Sequence, residues 1–177
     1  MREIEVKARL INKDGVVSKL ESLGCVFEEP KTQHDMVYVE KVGDINTFSS
    51  NKIFLRIRKS NNKIIFTLKT NGENSLSKIE HEIEINSEGE MESILKLLKY
   101  LPAVTVNKKR ITTHYKEFEI CVDNVEDLGD FIEVERIMDE GSAEKIQDEM
   151  FEFLESLGVK KEDRVFEGYD ILMLRKN

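Results

Sequence analysis

Apolar and charged residues alternate along most of this chain, and that period of two constrains its fold more than any other sequence feature. Within residues 2–10, Ile4, Val6, Ala8 and Leu10 are separated by charged residues. Successive side chains of a β-strand point to opposite faces, so the segment predicts a strand with one apolar and one charged face. The remaining predicted strands, which bring the total to about eight, are 34–40, 53–59, 63–70, 78–85, 104–110, 115–123 and 131–137.

Three stretches between these strands carry apolar residues at helical spacing instead. They predict helices over 13–24, 89–100 and 142–157. Gly24 suits the end of the first helix, because glycine readily adopts the left-handed conformation that closes a helix. Ser142 suits the start of the third, because its hydroxyl can accept a hydrogen bond from a free backbone N–H.

Polar segments join these elements, and none of them resembles a linker between domains. Residues 43–52 and 70–77 predict hairpin loops, and residues 159–168 predict a loop that leads into a C-terminal strand, GYDILML. The length of 177 residues lies near the usual size of one domain. We therefore expect a single domain over residues 1–177.

The charged faces of the predicted strands favour a sheet with a charged interior. Helices need an apolar surface to pack on, and the sheet has only one consistently apolar face, which they are expected to cover. On the other face, charge is sorted by strand: Arg56 and Arg58 share one strand, whereas Glu133 and Glu135 share another. A solvated polar face would also alternate, but it gives no reason for this sorting. We predict an α+β fold, a closed antiparallel eight-stranded β-barrel or tunnel with a charged interior and helices packed outside.

Charges inside such a barrel need partners, because a buried charge is costly unless it is paired or binds a ligand or metal. Lysine and arginine suit the phosphates of a polyanion, and carboxylates suit a hard divalent cation such as Mg²⁺ or Mn²⁺. Carboxylates two residues apart on a strand point the same way at a separation of roughly 7 Å, which suits neighbouring metal sites. The predicted interior therefore suits a polyanion together with a divalent metal.

Two kinds of binding protein without catalytic activity would share parts of this pattern. A lipocalin-like barrel would need an apolar interior, and Arg56, Arg58, Lys108 and Arg110 argue against one. A module that only binds RNA or polyphosphate would use the cations but would not need the carboxylate strands. Binding of tripolyphosphate that survives metal chelation would favour such a module over an enzyme.

Composition narrows the possible partners. The net charge of −8 and the isoelectric point of about 5.1 argue against general nucleic-acid binding. No apolar run approaches the roughly 18 residues that span a bilayer, and the N-terminal residues do not resemble a signal peptide, so no membrane partner is expected. Cys25 and Cys121 cannot form a disulfide framework, and we interpret them as reduced thiols in a cytoplasmic protein. The sequence leaves a homodimer open.

Motifs that carry a family resemblance follow one another along nearly the whole chain. They are Glu3–Lys7 (EIEVK), Gln33–Asp35 (QHD), Phe54–Arg58 (FLRIR), Thr67–Lys69 (TLK), Glu80–Glu82 (EHE), Lys108–Arg110 (KKR), Cys121–Val125, Leu128–Glu135 and Gly168–Leu172. In this order they resemble the signature of the CYTH superfamily, the triphosphate tunnel metalloenzymes. The length of the chain and the spacing of QHD and FLRIR are most similar to class IV adenylyl cyclases.

The resemblance implies a triphosphate substrate and two divalent ions, Mg²⁺ or Mn²⁺. It implies that phosphate is bound by the cations of the charged faces, namely Lys7, Arg56, Arg58, Lys69, Lys108 and Arg110. It implies that metal is bound by the carboxylates, namely Glu3, Glu5, Glu80, Glu82, Asp123, Glu133 and Glu135. Among the cations we assign Lys7, Arg58 and Lys69 to catalysis as well.

The resemblance leaves two reactions open. A class IV adenylyl cyclase converts ATP to cyclic AMP and pyrophosphate, with the ribose 3′-hydroxyl as nucleophile. Other members of the superfamily hydrolyse tripolyphosphate, thiamine triphosphate or RNA 5′-triphosphate, with water as nucleophile. We expect the cyclase reaction, with a triphosphatase as the alternative.

Overall fold

The computed structural model describes residues 2–40, 53–71, 78–138 and 142–176. The predicted loop 43–52 and most of the predicted loop 70–77 lie outside the described residues. The strands are β1 Arg2–Arg9, β2 Lys31–Val39, β3 Phe54–Ser60, β4 Lys63–Asn71, β5 Lys78–Ile85, β6 Leu101–Tyr115, β7 Phe118–Val125, β8 Gly129–Met138 and β9 Arg164–Val165. The helices are α1 Lys13–Ser22, α2 Glu88–Leu97, α3 Ala143–Ser156 and α4 Tyr169–Lys176, and a 3₁₀ turn spans Lys161–Asp163.

The strands form one antiparallel sheet, and its pairing order differs from its chain order. The order is β5-β4-β3-β2-β6-β7-β8-β1-β9. An additional pairing joins β1 to β5 through the residue pair Glu3 and Lys78. The prediction of an α+β fold is confirmed. The prediction of a closed eight-stranded barrel is not confirmed. Within the described residues the sheet has nine strands, and β1 and β5 meet at one residue pair rather than along a ladder.

Helices α1, α2 and α3 pack on the apolar face of the sheet, as the alternation predicts. Helix α4 differs, because it packs with Val106 and Phe131 on the side of the sheet that carries the charged residues. Val16 and Leu20 of α1 and Met150 and Leu154 of α3 join the largest buried cluster. The sheet contributes to that cluster the apolar side of β1, β7 and β8, namely Ile4, Val6, Ala8, Ile120, Val122, Ile132 and Val134. Burial of this area is the main favourable term in folding, and it leaves the charged residues of the same strands on the opposite face.

Helix boundaries follow local capping chemistry. The Ser142 hydroxyl accepts a hydrogen bond from the backbone N–H of Lys145, so the predicted start of α3 is confirmed. Gly24 and Gly158 have φ angles of 87° and 96° just after α1 and α3, a conformation that glycine adopts at little cost.

The C-terminal segment differs from the prediction, because residues 169–176 form helix α4 rather than a strand. Periodicity alone cannot separate a short apolar run in a strand from one in a helix. In the helix, Tyr169, Leu172 and Met173 fall on one side and pack with Val106 and Phe131. Asp170 in the first turn and Arg175 in the last also suit the helix dipole. Tertiary packing therefore selects the helix.

Candidate active site

One cavity of about 970 Å³ lies against the charged face of the sheet, and the residues predicted to bind phosphate and metal converge on it. The predicted residues that line it are Glu3, Glu5, Lys7, Arg56, Arg58, Lys69, Glu80, Glu82, Lys108, Arg110, Glu133 and Glu135. Asp123 lies behind the wall with no exposed surface. The cavity is large enough for a nucleotide-sized ligand, since small-molecule pockets range over about 300–1,000 Å³.

Opposite charges are concentrated on different walls of the cavity. Strands β2, β3 and β6 supply most of the cations, and Asp35 of β2 pairs with Arg58 of β3 across the ladder. Strands β1, β5 and β8 supply most of the carboxylates, and Glu5 of β1 lies directly opposite Glu135 of β8. The cavity therefore offers a basic wall for a polyanion and an acidic wall for a divalent cation.

Three carboxylates on the acidic wall are placed to hold a metal ion. Glu3, Glu5 and Glu135 each bring one oxygen into a group whose members all lie within 4.8 Å of one another. Burial and the charge of Glu80 raise the pKa of Glu3 to about 7. Burial and the charge of Glu133 raise the pKa of Glu135 to about 8. This concentration of negative charge, made of hard oxygen donors, fits Mg²⁺ or Mn²⁺.

The other predicted metal ligands are occupied by cations of the same cavity. Glu80 pairs with Lys69, and Glu82 lies 3.1 Å from Arg56. Asp123 accepts hydrogen bonds from Arg110 at 2.7 and 2.6 Å and from Lys108 at 3.3 Å. The structure therefore separates the seven predicted carboxylates into a cluster of three, of which Glu5 also contacts a cation, and a set of four that are paired with cations.

Lys7 joins the two parts of the acidic wall. Its ammonium lies 3.1 Å from Glu5 and 3.0 Å from Glu133. Burial opposes its charge, but these two carboxylates outweigh it and raise the pKa of Lys7 above its usual value. The Lys7 charge in turn lowers the pKa of Glu5, so the cluster contains one carboxylate that ionises readily beside two that hold protons near neutral pH.

Glu133 lies between two cations and keeps its charge. It pairs with Lys7 and also accepts a hydrogen bond from Arg110. Burial alone would favour the neutral acid, but Lys7 and Arg110 hold the pKa of Glu133 well below its usual range. Lys108 has the opposite environment, because burial and the nearby Arg110 lower the pKa of its ammonium.

Arg58 is held on the basic wall by a residue that the sequence pattern did not assign to the site. Its Nε and Nη2 donate to Oδ1 and Oδ2 of Asp35, both at 2.7 Å. Burial opposes the charge of Asp35, but Arg58, together with the nearby Arg56 and Lys108, lowers the pKa of Asp35 below its usual value. Asp35 is therefore an ionised partner. Asp35 could have been found from the alternation of Lys31, Gln33 and Asp35 along β2, because all three line the cavity.

Gln33 places a buried amide oxygen without a hydrogen-bond donor on this wall, among the described residues. It is 7% exposed, and within the described part of the chain no group donates a hydrogen bond to its Oε1. A buried amide of this kind is expected to bind a ligand or water, because an unmade hydrogen bond costs free energy. The resemblance placed Gln33 in a motif without assigning it a role.

Tyr169 of α4 contacts both a buried carboxylate and two of the cavity's lysines. Its hydroxyl donates to Oδ2 of Asp123 at 3.0 Å. The ammonium groups of Lys7 and Lys108 lie 4.5 and 4.9 Å from the centroid of its ring. Sequence periodicity did not predict this arrangement, because the arrangement depends on helix α4, where a strand was predicted.

Comparisons with known proteins agree with this architecture. The CYTH domain family matches residues 1–169. A protein of Methanocaldococcus jannaschii named "Putative adenylate cyclase" is 31% identical over 172 residues, which are 96% of this chain and 97% of the relative. This chain therefore belongs to the CYTH family, whose members are metal-dependent enzymes that act on triphosphates.

Solved structures show the same fold. The PH1819 protein of Pyrococcus horikoshii is similar with a TM-score of 0.83 at 23% identity, over 99% of each chain. A Hippeastrum protein, described by its investigators as a putative adenylyl cyclase with a dominant triphosphatase activity, has a TM-score of 0.64 at 18% identity, over 99% of this chain and 96% of its own. Within the described part of our chain, no helix is both long enough and apolar enough to cross a membrane.

Proposed function

We propose that this protein is a metal-dependent adenylyl cyclase that converts ATP to cyclic AMP and pyrophosphate. The observation that carries the proposal is the single cavity in which the cluster Glu3, Glu5 and Glu135 lies beside the paired cations. A triphosphate needs both features, because phosphoryl and nucleotidyl transfer depend mainly on positioning and on neutralising charge. The M. jannaschii relative supports the choice of reaction by its name and its coverage of the whole chain.

In this proposal the chain's own residues hold the substrate. The cations that line the cavity, Lys7, Arg56, Arg58, Lys69, Lys108 and Arg110, bind the triphosphate oxygens. Each of them is now paired with a carboxylate, so the substrate replaces some of these internal contacts. Lys7, Arg58 and Lys69 then offset the charge that develops as the bond between the α- and β-phosphates breaks.

The acidic cluster is the proposed metal site. Glu3, Glu5 and Glu135 would hold Mg²⁺ or Mn²⁺, while Glu80, Glu82, Asp123 and Glu133 keep the cations in place. A divalent ion supplies Lewis-acid charge neutralisation when it is bound there. The ribose 3′-oxygen forms its new bond to the α-phosphorus, the hydroxyl proton is lost, and pyrophosphate leaves.

A triphosphatase is the second candidate. In that reaction water attacks the γ-phosphorus, the bond from this phosphorus to the β-phosphate breaks, and the diphosphate leaves while orthophosphate is formed. The same cations and carboxylates serve it. The activity described for the Hippeastrum protein favours this alternative. The two reactions differ in which phosphorus lies in line with the nucleophile, whereas the residues that bind phosphate are shared.

Incubation of the purified protein with ATP, tripolyphosphate and thiamine triphosphate separates these reactions. With Mn²⁺ present and the products resolved chromatographically, we expect cyclic AMP and pyrophosphate from ATP. Orthophosphate from tripolyphosphate, without a cyclic product from ATP, would instead establish the triphosphatase. Failure to turn over any of the three with either metal would contradict both reactions.

A further inference from the structure

Phe166 is the most unusual apolar side chain at the edge of the cavity. It lines the cavity, yet 82% of its surface is exposed to solvent. An exposed phenylalanine has no reason to be there from folding alone, because its ring would gain free energy on burial. Single exposed apolar residues are common, so the further evidence is what surrounds the ring.

Contacts with Lys7 hold the backbone on both sides of Phe166. Val165 pairs with Lys7 in the ladder between β9 and β1. On the other side, the Lys7 ammonium donates to the carbonyl oxygen of Glu167 at 3.4 Å. The ring therefore belongs to the same short segment that contacts Lys7, a residue proposed to bind the triphosphate.

Arg164 provides a second planar group beside the ring. Its guanidinium carbon lies 4.8 Å from the centroid of Phe166 and 5.1 Å from the centroid of the buried Phe151, so both rings pack on the arginine. Gln147 holds this arginine through a 3.3 Å hydrogen bond to its Oε1, while Nε2 of Gln147 donates to the backbone oxygen of Glu5 at 3.0 Å. Arg164 and Gln147 both line the cavity, and Glu5 belongs to the proposed metal cluster.

We infer that the exposed ring of Phe166, supported by Arg164, is a stacking platform for the base of a nucleoside triphosphate whose phosphates are bound beside Lys7. The inference rests on the proposed function and adds the organic part of the substrate to it. Bases stack on exposed aromatic rings, and such stacking tolerates any base because each base has a π-face. A neutral base suits the platform better than the thiazolium cation of thiamine triphosphate, because Arg164 is positively charged.

A matched pair of uncleavable ligands tests the platform without turnover. One is bis-methylene ATP, in which both bridging oxygens of the triphosphate are replaced by methylene groups, and the other is the bis-methylene triphosphate without a nucleoside. Isothermal titration calorimetry in Mn²⁺ gives the Kd of each for the wild type, Phe166→Ala and Phe166→Trp. Leu97→Ala is the control, because Leu97 is 79% exposed on α2 and does not line the cavity.

We expect Phe166→Ala to weaken binding of the nucleotide analogue by on the order of 10-fold, because one stacked base is lost. Binding of the ligand without a base should stay within about 2-fold of the wild type. Phe166→Trp should bind the nucleotide analogue with an affinity close to that of the wild type, because it keeps an aromatic ring. Leu97→Ala should change neither Kd.

Two results would overturn the platform. One is an equal change in the Kd of both ligands, and the other is an unchanged Kd of the nucleotide in Phe166→Ala. In either case binding of the base-free ligand by the wild type would leave the proposed triphosphate site intact. If the wild type bound neither ligand, the proposed function would fail together with the platform.

Discussion

Glu5 and Glu135 lie directly opposite each other across the antiparallel ladder between β1 and β8. Like charges in this position are destabilising, and a third carboxylate, Glu3, lies within 4.8 Å of both through its nearest oxygen. No cation pairs with Glu135 among the described residues, whereas Glu133, two residues earlier, contacts both Lys7 and Arg110. Such a cluster costs free energy in the folded protein unless a divalent cation or protons neutralise it.

Removal of a carboxylate from the cluster should abolish metal-dependent activity. We predict that Glu3→Ala or Glu5→Ala lowers the rate at least about 100-fold, because a direct metal ligand is lost. Folding should survive, since Glu3→Ala relieves repulsion between carboxylates, and in Glu5→Ala the buried Lys7 keeps Glu133 as its partner. Initial rates at saturating substrate, with Mn²⁺ and with chelator, measure the effect. Glu162→Ala is a matched control because Glu162 is highly exposed and outside the cavity, and near wild-type rates in the cluster variants would contradict the assignment.

The raised pKa of Glu135 predicts how stability depends on pH without metal. Its folded pKa of about 8 exceeds the ordinary value of 4.5, so the folded protein binds more protons than the unfolded chain between these values. The contribution of Glu135 to the free energy of unfolding therefore falls as pH rises through that window.

Denaturant titrations in chelator at pH 5 and pH 8 can measure this contribution. The loss of stability between the two values should be smaller in Glu135→Gln than in the wild type, because glutamine does not ionise. Glu162→Gln should retain the wild-type slope. An identical pH dependence in Glu135→Gln and the wild type would argue against a perturbed carboxyl at this position.

Asp35 should stabilise the folded protein by balancing the charge of Arg58. We predict that Asp35→Asn lowers the free energy of unfolding by on the order of 2 kcal/mol, because the buried guanidinium loses its anionic partner. Tripolyphosphate should stabilise the variant more than the wild type, since the ligand can replace the missing negative charge.

Thermal unfolding with and without tripolyphosphate tests this prediction. Glu84→Gln is a suitable control, because Glu84 forms an exposed pair with Lys63 and such pairs contribute little. A ligand-induced rise in Tm that is the same for Asp35→Asn and the wild type would show that triphosphate does not bind beside Arg58.

Tyr169 is expected to position Lys7 and Lys108 through its ring rather than through its hydroxyl. Tyr169→Phe keeps both cation–π contacts and loses only the hydrogen bond to Asp123, so we predict a small rise in KM, about 3-fold. Tyr169→Leu removes the ring and should raise KM by on the order of 10-fold, with a smaller effect on kcat. Steady-state kinetics on both variants distinguish the roles: equal effects would assign the function to the hydroxyl, because the ring is retained in Tyr169→Phe.

The sequence alone predicts most of the strands and the side of each strand that faces the cavity. This is possible because the alternation of apolar and charged residues in strands such as β1 and β8 is a local property. Once Ile4, Val6, Ile132 and Val134 are buried under the helices, the residues between them must point to the opposite face of the sheet. The same logic identified the cations and carboxylates that line the cavity as a set.

Tertiary structure decided how that set is divided. Pairing register between strands far apart in sequence places Glu5 opposite Glu135 and Asp35 opposite Arg58, and no local pattern encodes a register between distant strands. Packing of Tyr169 on Phe131 selected a helix where the short apolar run predicted a strand. The sequence therefore determined which charges face the interior, through an alternation that each strand carries by itself. The fold determined which of them bind each other and which can bind a metal, because those contacts exist only once distant strands are paired.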